Sequence, residues 1–169
     1  MDIQSERVYI DAFLEYTSDL LRNPLVQGMT QYHHHRAIDT HYHSMFVAYR
    51  VLKLCTLLNV TQDRREIVRA ALLHDFYLYE WYTEKHDENH IYYHPKESVR
   101  NIEAHFGALT PMQRNMILSH MFPLSVEKPH CVGAWLLTAA DKQCASEDYL
   151  HVSHRFRPIY AEINRRASL

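Results

Sequence analysis

Six side chains of metal-ligand type stand where a helical protein would bury them. In "ALLHDFYLYEW", residues 71–81, His74 and Asp75 sit side by side straight after an apolar run. At helical spacing His74 shares a face with Ala71, Ala70 and Ile67, and Asp75 with Leu72, Ala71 and Val68. The pattern recurs elsewhere. His43 heads the stripe Val47, Val51, Leu54 and Leu58; His120 ends "RNMILSH"; Asp141 ends "CVGAWLLTAAD"; His94 precedes Pro95. An ionised carboxylate buried alone costs many kcal/mol, so it must be neutralised, paired or metal-bound. Four imidazoles and two carboxylates could surround one or two divalent metals. No thiolate is in the set, which favours Fe, Mn, Co, Ni or catalytic Zn over a Cys-rich structural zinc site. Each residue also has a simpler reading: a satisfied core histidine, or an aspartate capping a neighbouring helix. The joint occurrence points to a metal.

To position such a set the chain needs helices, and almost every segment has helical period. Tyr9, Phe13, Tyr16, Leu20 and Leu21 line a first helix that stops near Asn23-Pro24. A polar connection, "QGMTQYHHHRAID", leads to a second helix starting near Asp39 or Thr40, both suitable caps. A third opens near Thr61 and runs to between Phe76 and Glu80. "YTEKHDENHIYY" reads as a loop, and a fourth helix starts at His94-Pro95 and ends at Gly107. Thr110-Pro111 starts a fifth. Pro123 and Pro129 bracket a loop, and "CVGAWLLTAADKQCA" forms a buried sixth helix. The tail, "SEDYLHVSHRFRPIYAEINRR", is helical with a break near Pro158. No segment alternates as a strand does, and no repeat is visible. The expectation is an all-α, single-domain helical bundle over residues 1–169.

Composition sets further bounds. Three glycines disfavour Gly-rich phosphate loops and turn-rich β architectures, and 14 histidines are many for 169 residues. The formal charge is -2 with no long run of one sign, so neither a nucleic-acid polymer nor an anionic membrane is an expected partner. No apolar stretch is long enough to span a bilayer, and the first residues lack the order of a secretory signal. Cys55, Cys131 and Cys144 are odd in number and form no CxxC, which reads as reduced thiols in a cytoplasmic protein.

The order His43, His74-Asp75, Asp141 resembles the HD domain, a helical metal-dependent phosphohydrolase superfamily. "HYHSMFVAYRV" is similar to its first-histidine helix, "ALLHDF" to its defining segment and "LLTAADK" to the segment with its last aspartate. "HPKESVRNI" and "SHMFPL" resemble the extra histidines of its two-metal subgroup. The resemblance covers about residues 30–145 and is closest to small bacterial HD-domain proteins, leaving 1–29 and 146–169 as flanking helices. It implies one metal held by His43, His74, Asp75 and Asp141. A second would lie on His94 and His120, with Asp75 bridging. The implied activity is hydrolysis of a small phosphorylated metabolite, such as a nucleotide, by water whose pKa the cations lower.

Asp75, Lys142 and His35 are the candidates for catalysis. Lys142 could meet a substrate phosphate or pair with a carboxylate, and His35, eight residues before His43, could enter the pocket. Arg36 is a candidate phosphate clamp. His33 and His34 read as exposed loop residues, and Glu80 as a support or a solvated helix end. His86, His90, His105, His130, His151 and His154 read as surface or packing. The aromatics of "FYLYEWYTE" read as packing rather than as a base-stacking platform. The competing functions are a non-hydrolytic metal- and ligand-binding module, a di-iron oxygenase and a metal-free interaction domain. A homodimer is compatible with an apolar stripe on the first or last helix.

Overall fold

The computed structural model describes residues 3–34, 38–61, 63–150 and 152–168. It is all-α. Eight α-helices appear among the described residues: α1 (Ile3–Leu21), α2 (Pro24–Gly28), α3 (Thr40–Leu57), α4 (Arg64–Leu72), α5 (His90–Phe106), α6 (Pro111–Ser119), α7 (Val132–Tyr149) and α8 (Arg157–Ala167). Helix α3 is the spine and packs on α4 and α7. Helix α7 also packs on α6, α1 lies against α8 and α4, and α5 against α6. Met45, Val47, Ala48 and Val51 of α3 are fully buried. So are Val68 and Ala71 of α4, Met116 and Ile117 of α6, and Ala134, Leu137 and Ala140 of α7. Burying one such Leu, Ile or Met contributes roughly 1.5–3 kcal/mol, so these helices form one rigid body around the polar groups they enclose.

Local chemistry explains the helix starts. The Asp39 carboxylate accepts from the Tyr42 amide at 2.7 Å and opens α3. Thr110 and Gln113 form a reciprocal capping box at α6, with Pro111 in its first turn. Gly133, on α7, has no room for a side chain: an added Cβ would lie 2.9 Å from the Met116 sulfur and 3.0 Å from Ile67. That close approach seats α7 against α4 and α6.

Several boundaries differ from the sequence reading. Helix α4 stops at Leu72, so His74 and Asp75 stand in a turn beyond it rather than on it. The cause is the His74 ring, whose Nδ1 donates to the Ala71 carbonyl at 2.8 Å and caps the helix end. Helix α5 starts at His90, one turn before His94, because the Asn89 side chain accepts from the Ile91 amide at 3.0 Å. Pro95 is therefore inside the helix. Helix α7 continues to Tyr149, past the expected end at Ala145. A single 3-10 turn at Ser153–Phe156 leads into α8, and Pro158 sits in the first turn of that helix instead of interrupting it. Two stripes shift as well. Ile10 and Thr17 are buried in α1 while Tyr9 and Tyr16 flank them, and Leu58, just past α3, is exposed.

Gly107 ends α5 at φ 93, ψ 177, a region open essentially to glycine alone. Gly107→Ala should lower unfolding free energy by about 1–3 kcal/mol in chemical denaturation. An unchanged midpoint would show that the backbone relaxes there.

Candidate metal centre

Histidine ring anchoring builds the site. Each of the four predicted histidines has its Nδ1 held by an acceptor. His74 Nδ1 donates to the Ala71 carbonyl at 2.8 Å, and His120 Nδ1 to the Ile117 carbonyl at 2.7 Å. The geometry is the same both times: a ring turned back onto the last turn of α4 or of α6. His94 Nδ1 donates to the His90 carbonyl at 2.7 Å inside α5. His43 Nδ1 donates to Asp148 Oδ2 at 3.0 Å. Carbonyls and carboxylates only accept, so Nδ1 carries a hydrogen in every ring and the neutral form presents a lone pair at Nε2.

The four Nε2 atoms converge on two carboxylates. His43 Nε2 is 3.0 Å from Asp141 Oδ1, and His74 Nε2 is 3.7 Å from the same oxygen. Asp75 divides its oxygens. Oδ2 lies 3.5 Å from His74 Nε2, while Oδ1 lies 3.4 Å from His94 Nε2 and 3.6 Å from His120 Nε2. All six side chains are buried. The predicted six are thus brought together from α3, the turn after α4, α5, the end of α6 and α7.

Burial raises the cost of both carboxylates, yet the surrounding imidazoles outweigh it, chiefly His74 at Asp75 and His43 at Asp141. Both acids are held well below their usual range, ionised. Burial pulls the His43 ring down, but its bonds to Asp141 and Asp148 prevail and raise it to about 10. His74 is also raised, burial being outweighed mainly by the charge of Asp75. His94 and His120 go the other way. Burial lowers them to about 4 and about 3, with neighbouring histidines assisting at His120, so both are neutral near pH 7.

These groups fit a cation. His94 Nε2 and His120 Nε2 are 2.8 Å apart, and both rings already spend their hydrogen at Nδ1. Two lone pairs thus face each other at hydrogen-bond distance. His74 Nε2 and Asp75 Oδ1 are buried without a hydrogen-bond partner, an arrangement a folded protein ordinarily avoids. Two donors bound at about 2.1 Å to one ion lie about 3.0 Å apart at right angles and about 3.4 Å at a tetrahedral angle. The observed separations bracket those values.

A cavity of about 420 Å³ opens onto the cluster, lined by Asp75, His94, His120 and Asp141 together with His34, Trp81 and Lys142. The Lys142 ammonium donates to the His120 carbonyl at 3.1 Å, and burial lowers its pKa against the pull of Asp141. His35 and Arg36 lie outside the described residues, as does His151.

The structure adds residues that sequence reasoning missed. Asp148 is buried and orients His43. Its signal was its spacing of seven from Asp141, two turns along one face of a helix read as ending too early. His34 is not the exposed loop residue expected. Its Nε2 lies 3.1 Å from Asp75 Oδ2, and its ring stacks on His43 with centroids 3.6 Å apart. No sequence signal separates it from its neighbours. His33 is exposed as read, and it pairs with Glu80 at 2.9 Å, which helps hold the loop carrying His34. Trp81 Nε1 donates to the His33 carbonyl at 3.1 Å and steadies the same loop. Phe76, Tyr77 and Tyr79 are buried packing residues, as expected. His90 packs between the Trp81 and His94 rings, at 4.8 and 4.5 Å, but also reaches the cavity wall.

A helical bundle enclosing convergent histidines and aspartates defines a class of metal-site proteins. The sequence pattern of the HD domain family matches residues 40–145. The chain belongs to the HD domain family, which includes metal-dependent phosphohydrolases and typically binds divalent metals. No curated protein and no solved structure matches it. Among the described residues no helix is long and apolar enough to cross a membrane.

The anchored His43 gives a test. A cation taking its Nε2 displaces a proton from a group raised to about 10. Affinity for Mn²⁺ should therefore rise at least about tenfold per pH unit through the neutral range, with proton release seen by calorimetry in buffers of different ionisation enthalpy. An affinity independent of pH would contradict His43 as a ligand.

Proposed function

We propose that the protein is a metal-dependent phosphohydrolase acting on a small phosphorylated metabolite. The observation that carries the reading is the convergence of four anchored imidazoles on two ionised carboxylates, beside a cavity that Asp75, His94, His120, Asp141 and Lys142 line. His43, His74 and Asp141 would hold one divalent cation, His94 and His120 a second, with one oxygen of Asp75 toward each set. Such cations, when bound, supply Lewis acidity to a phosphoryl group and lower the pKa of water.

The chain's own residues account for the rest. Asp75 presents two acceptor oxygens to opposite halves of the cluster, which only a carboxylate can do from one side chain. His34 Nε2 donates to Asp75 Oδ2 and fixes the carboxylate plane. The ammonium of Lys142, tethered to the His120 carbonyl, keeps hydrogens to offer a phosphoryl oxygen in the cavity. The apolar shell of α3, α4, α6 and α7 excludes bulk water, so charge stabilisation there is stronger than at a surface. On the phosphate side a nucleotide suits this arrangement as well as any other ester, and nucleotides belong in the assay panel.

Asp75→Ala should stay folded by circular dichroism, lose most bound metal and lose turnover of phosphate esters by about 10³-fold or more, since metal assistance is worth several kcal/mol. A fully metallated and active Asp75→Ala protein would overturn the reading. Bound metal in the wild type with no turnover across phosphate esters and nucleotides would assign it to a non-hydrolytic module instead.

A further inference from the structure

The walls of the cavity are unlike its floor. Where the histidines and aspartates end, the lining becomes Trp81, Ile91, Met121, Leu124 and Ala145. Among the described lining residues Lys142 is the one lysine or arginine, and Asn89 the one uncharged amide. A second hollow, of about 730 Å³, shares Asn89 and Ile91 with the first and so borders it at that rim. Its lining continues the apolar surface through Tyr92, Pro95, Leu118 and Val126. Leu124, Tyr92 and Val126 are large apolar side chains left 56%, 45% and 89% exposed. Exposed apolar groups gathered beside a polar site mark a place where something apolar binds.

The charges of this surface say what does not bind. Lys96, at the edge of the second hollow, is paired with Glu88 at 2.7 Å, and Glu127 stands on the same lining. A second or third phosphate extending from the floor would meet carboxylates and a lysine already engaged. Among the described lining residues the wall beyond the floor offers a sugar or a base Asn89 and His90, and the second hollow adds Ser125 and Glu127 beside the paired Glu88 and Lys96, fewer neutral partners than several hydroxyl and amide groups need. Each buried polar group left unpaired costs about 1–3 kcal/mol. A base stacking on Trp81 would also have to compete with rings already there. The indole lies in a ladder of rings, Tyr82, Trp81, His90 and His94, with centroids 3.8, 4.8 and 4.5 Å apart.

We infer that the substrate is an amphiphilic phosphate monoester, with its single phosphate on the His/Asp floor beside Lys142 and an apolar body along Trp81, Ile91 and Leu124 toward the second hollow. The inference rests on the phosphohydrolase reading for its chemistry, but its geometry can be tested apart from turnover.

The probes are n-alkylphosphonates of two to eight carbons, titrated by calorimetry into the full-length protein loaded with Mn²⁺. Affinity should rise up to about fourfold per methylene until the cavity is filled, the factor that about 0.8 kcal/mol per buried methylene gives. Hexylphosphonate should bind more tightly than ribose 5-phosphate or adenosine monophosphate. Leu124→Ser changes a largely exposed residue, and it should weaken hexylphosphonate at least five times more than ethylphosphonate. The paired assay is hydrolysis of the matching n-alkyl phosphates. Affinity that ignores chain length, or tighter binding of the sugar phosphate or the nucleotide, would overturn the inference while hydrolysis of any ester leaves the enzymatic reading in place. Chain-length-dependent binding with no hydrolysis would uphold the ligand class and overturn the phosphohydrolase reading.

Discussion

The structure depends on one constraint: each histidine of the cluster must have its Nδ1 occupied so that its Nε2 points inward with a lone pair. Inside a helix most carbonyls are already taken by amides four residues on; those of the last turn are not. His74 and His120 use those last-turn carbonyls, at Ala71 and Ile117, and therefore stand just beyond α4 and α6. The helix ends are set by the chemistry of the site. His94 uses a first-turn carbonyl instead, beside the proline within α5. His43, in a well-formed helix, has no such carbonyl within reach and takes the Asp148 carboxylate from α7. A ring fixed at one nitrogen cannot swing away, and its basicity at the other is raised.

This anchoring sets up a balance of charge. Two carboxylates stay ionised because imidazoles surround them, while His94 and His120 are too buried to carry a proton. The half of the cluster around His43 can satisfy itself with a proton, since that ring donates to Asp141 and Asp148 at once. The half around His94 and His120 cannot, and its facing lone pairs are the part that calls for a cation. Packing makes this tenable. The helices that bring the ligands are interlocked through fully buried side chains and the close approach at Gly133, so the ligands cannot relax apart.

Much of this was legible in the chain itself. The helices showed through apolar period, and the proline and threonine at residues 110–111 announced α6. Five of the six convergent side chains show in the chain as polar groups at the head or end of an apolar stripe, and His94 as a histidine directly before Pro95. What escaped had a physical cause. The end of α4 is set by a side chain bonding back to the helix, which periodicity does not register. Asp148 was hidden because α7 outlasts its most apolar stretch, and a carboxylate in "SEDYL" looks like a solvated tail. His34 is turned toward the cluster by the loop's path, which Glu80, Trp81 and Tyr77 hold from 44 to 48 residues away in sequence. Contacts of that range leave no trace in a linear reading.

Anchored imidazoles and two ionised aspartates facing one another in a buried cluster are suited to divalent cations. The decisive measurement is elemental analysis of the protein purified under anaerobic conditions, without chelators or affinity metals. Two equivalents of a first-row transition metal per chain are expected, falling to one or none in a His94→Ala, His120→Ala double variant that remains folded. Wild-type protein that carries no metal, and takes up none from added Mn²⁺, Fe²⁺ or Co²⁺, would contradict this reading.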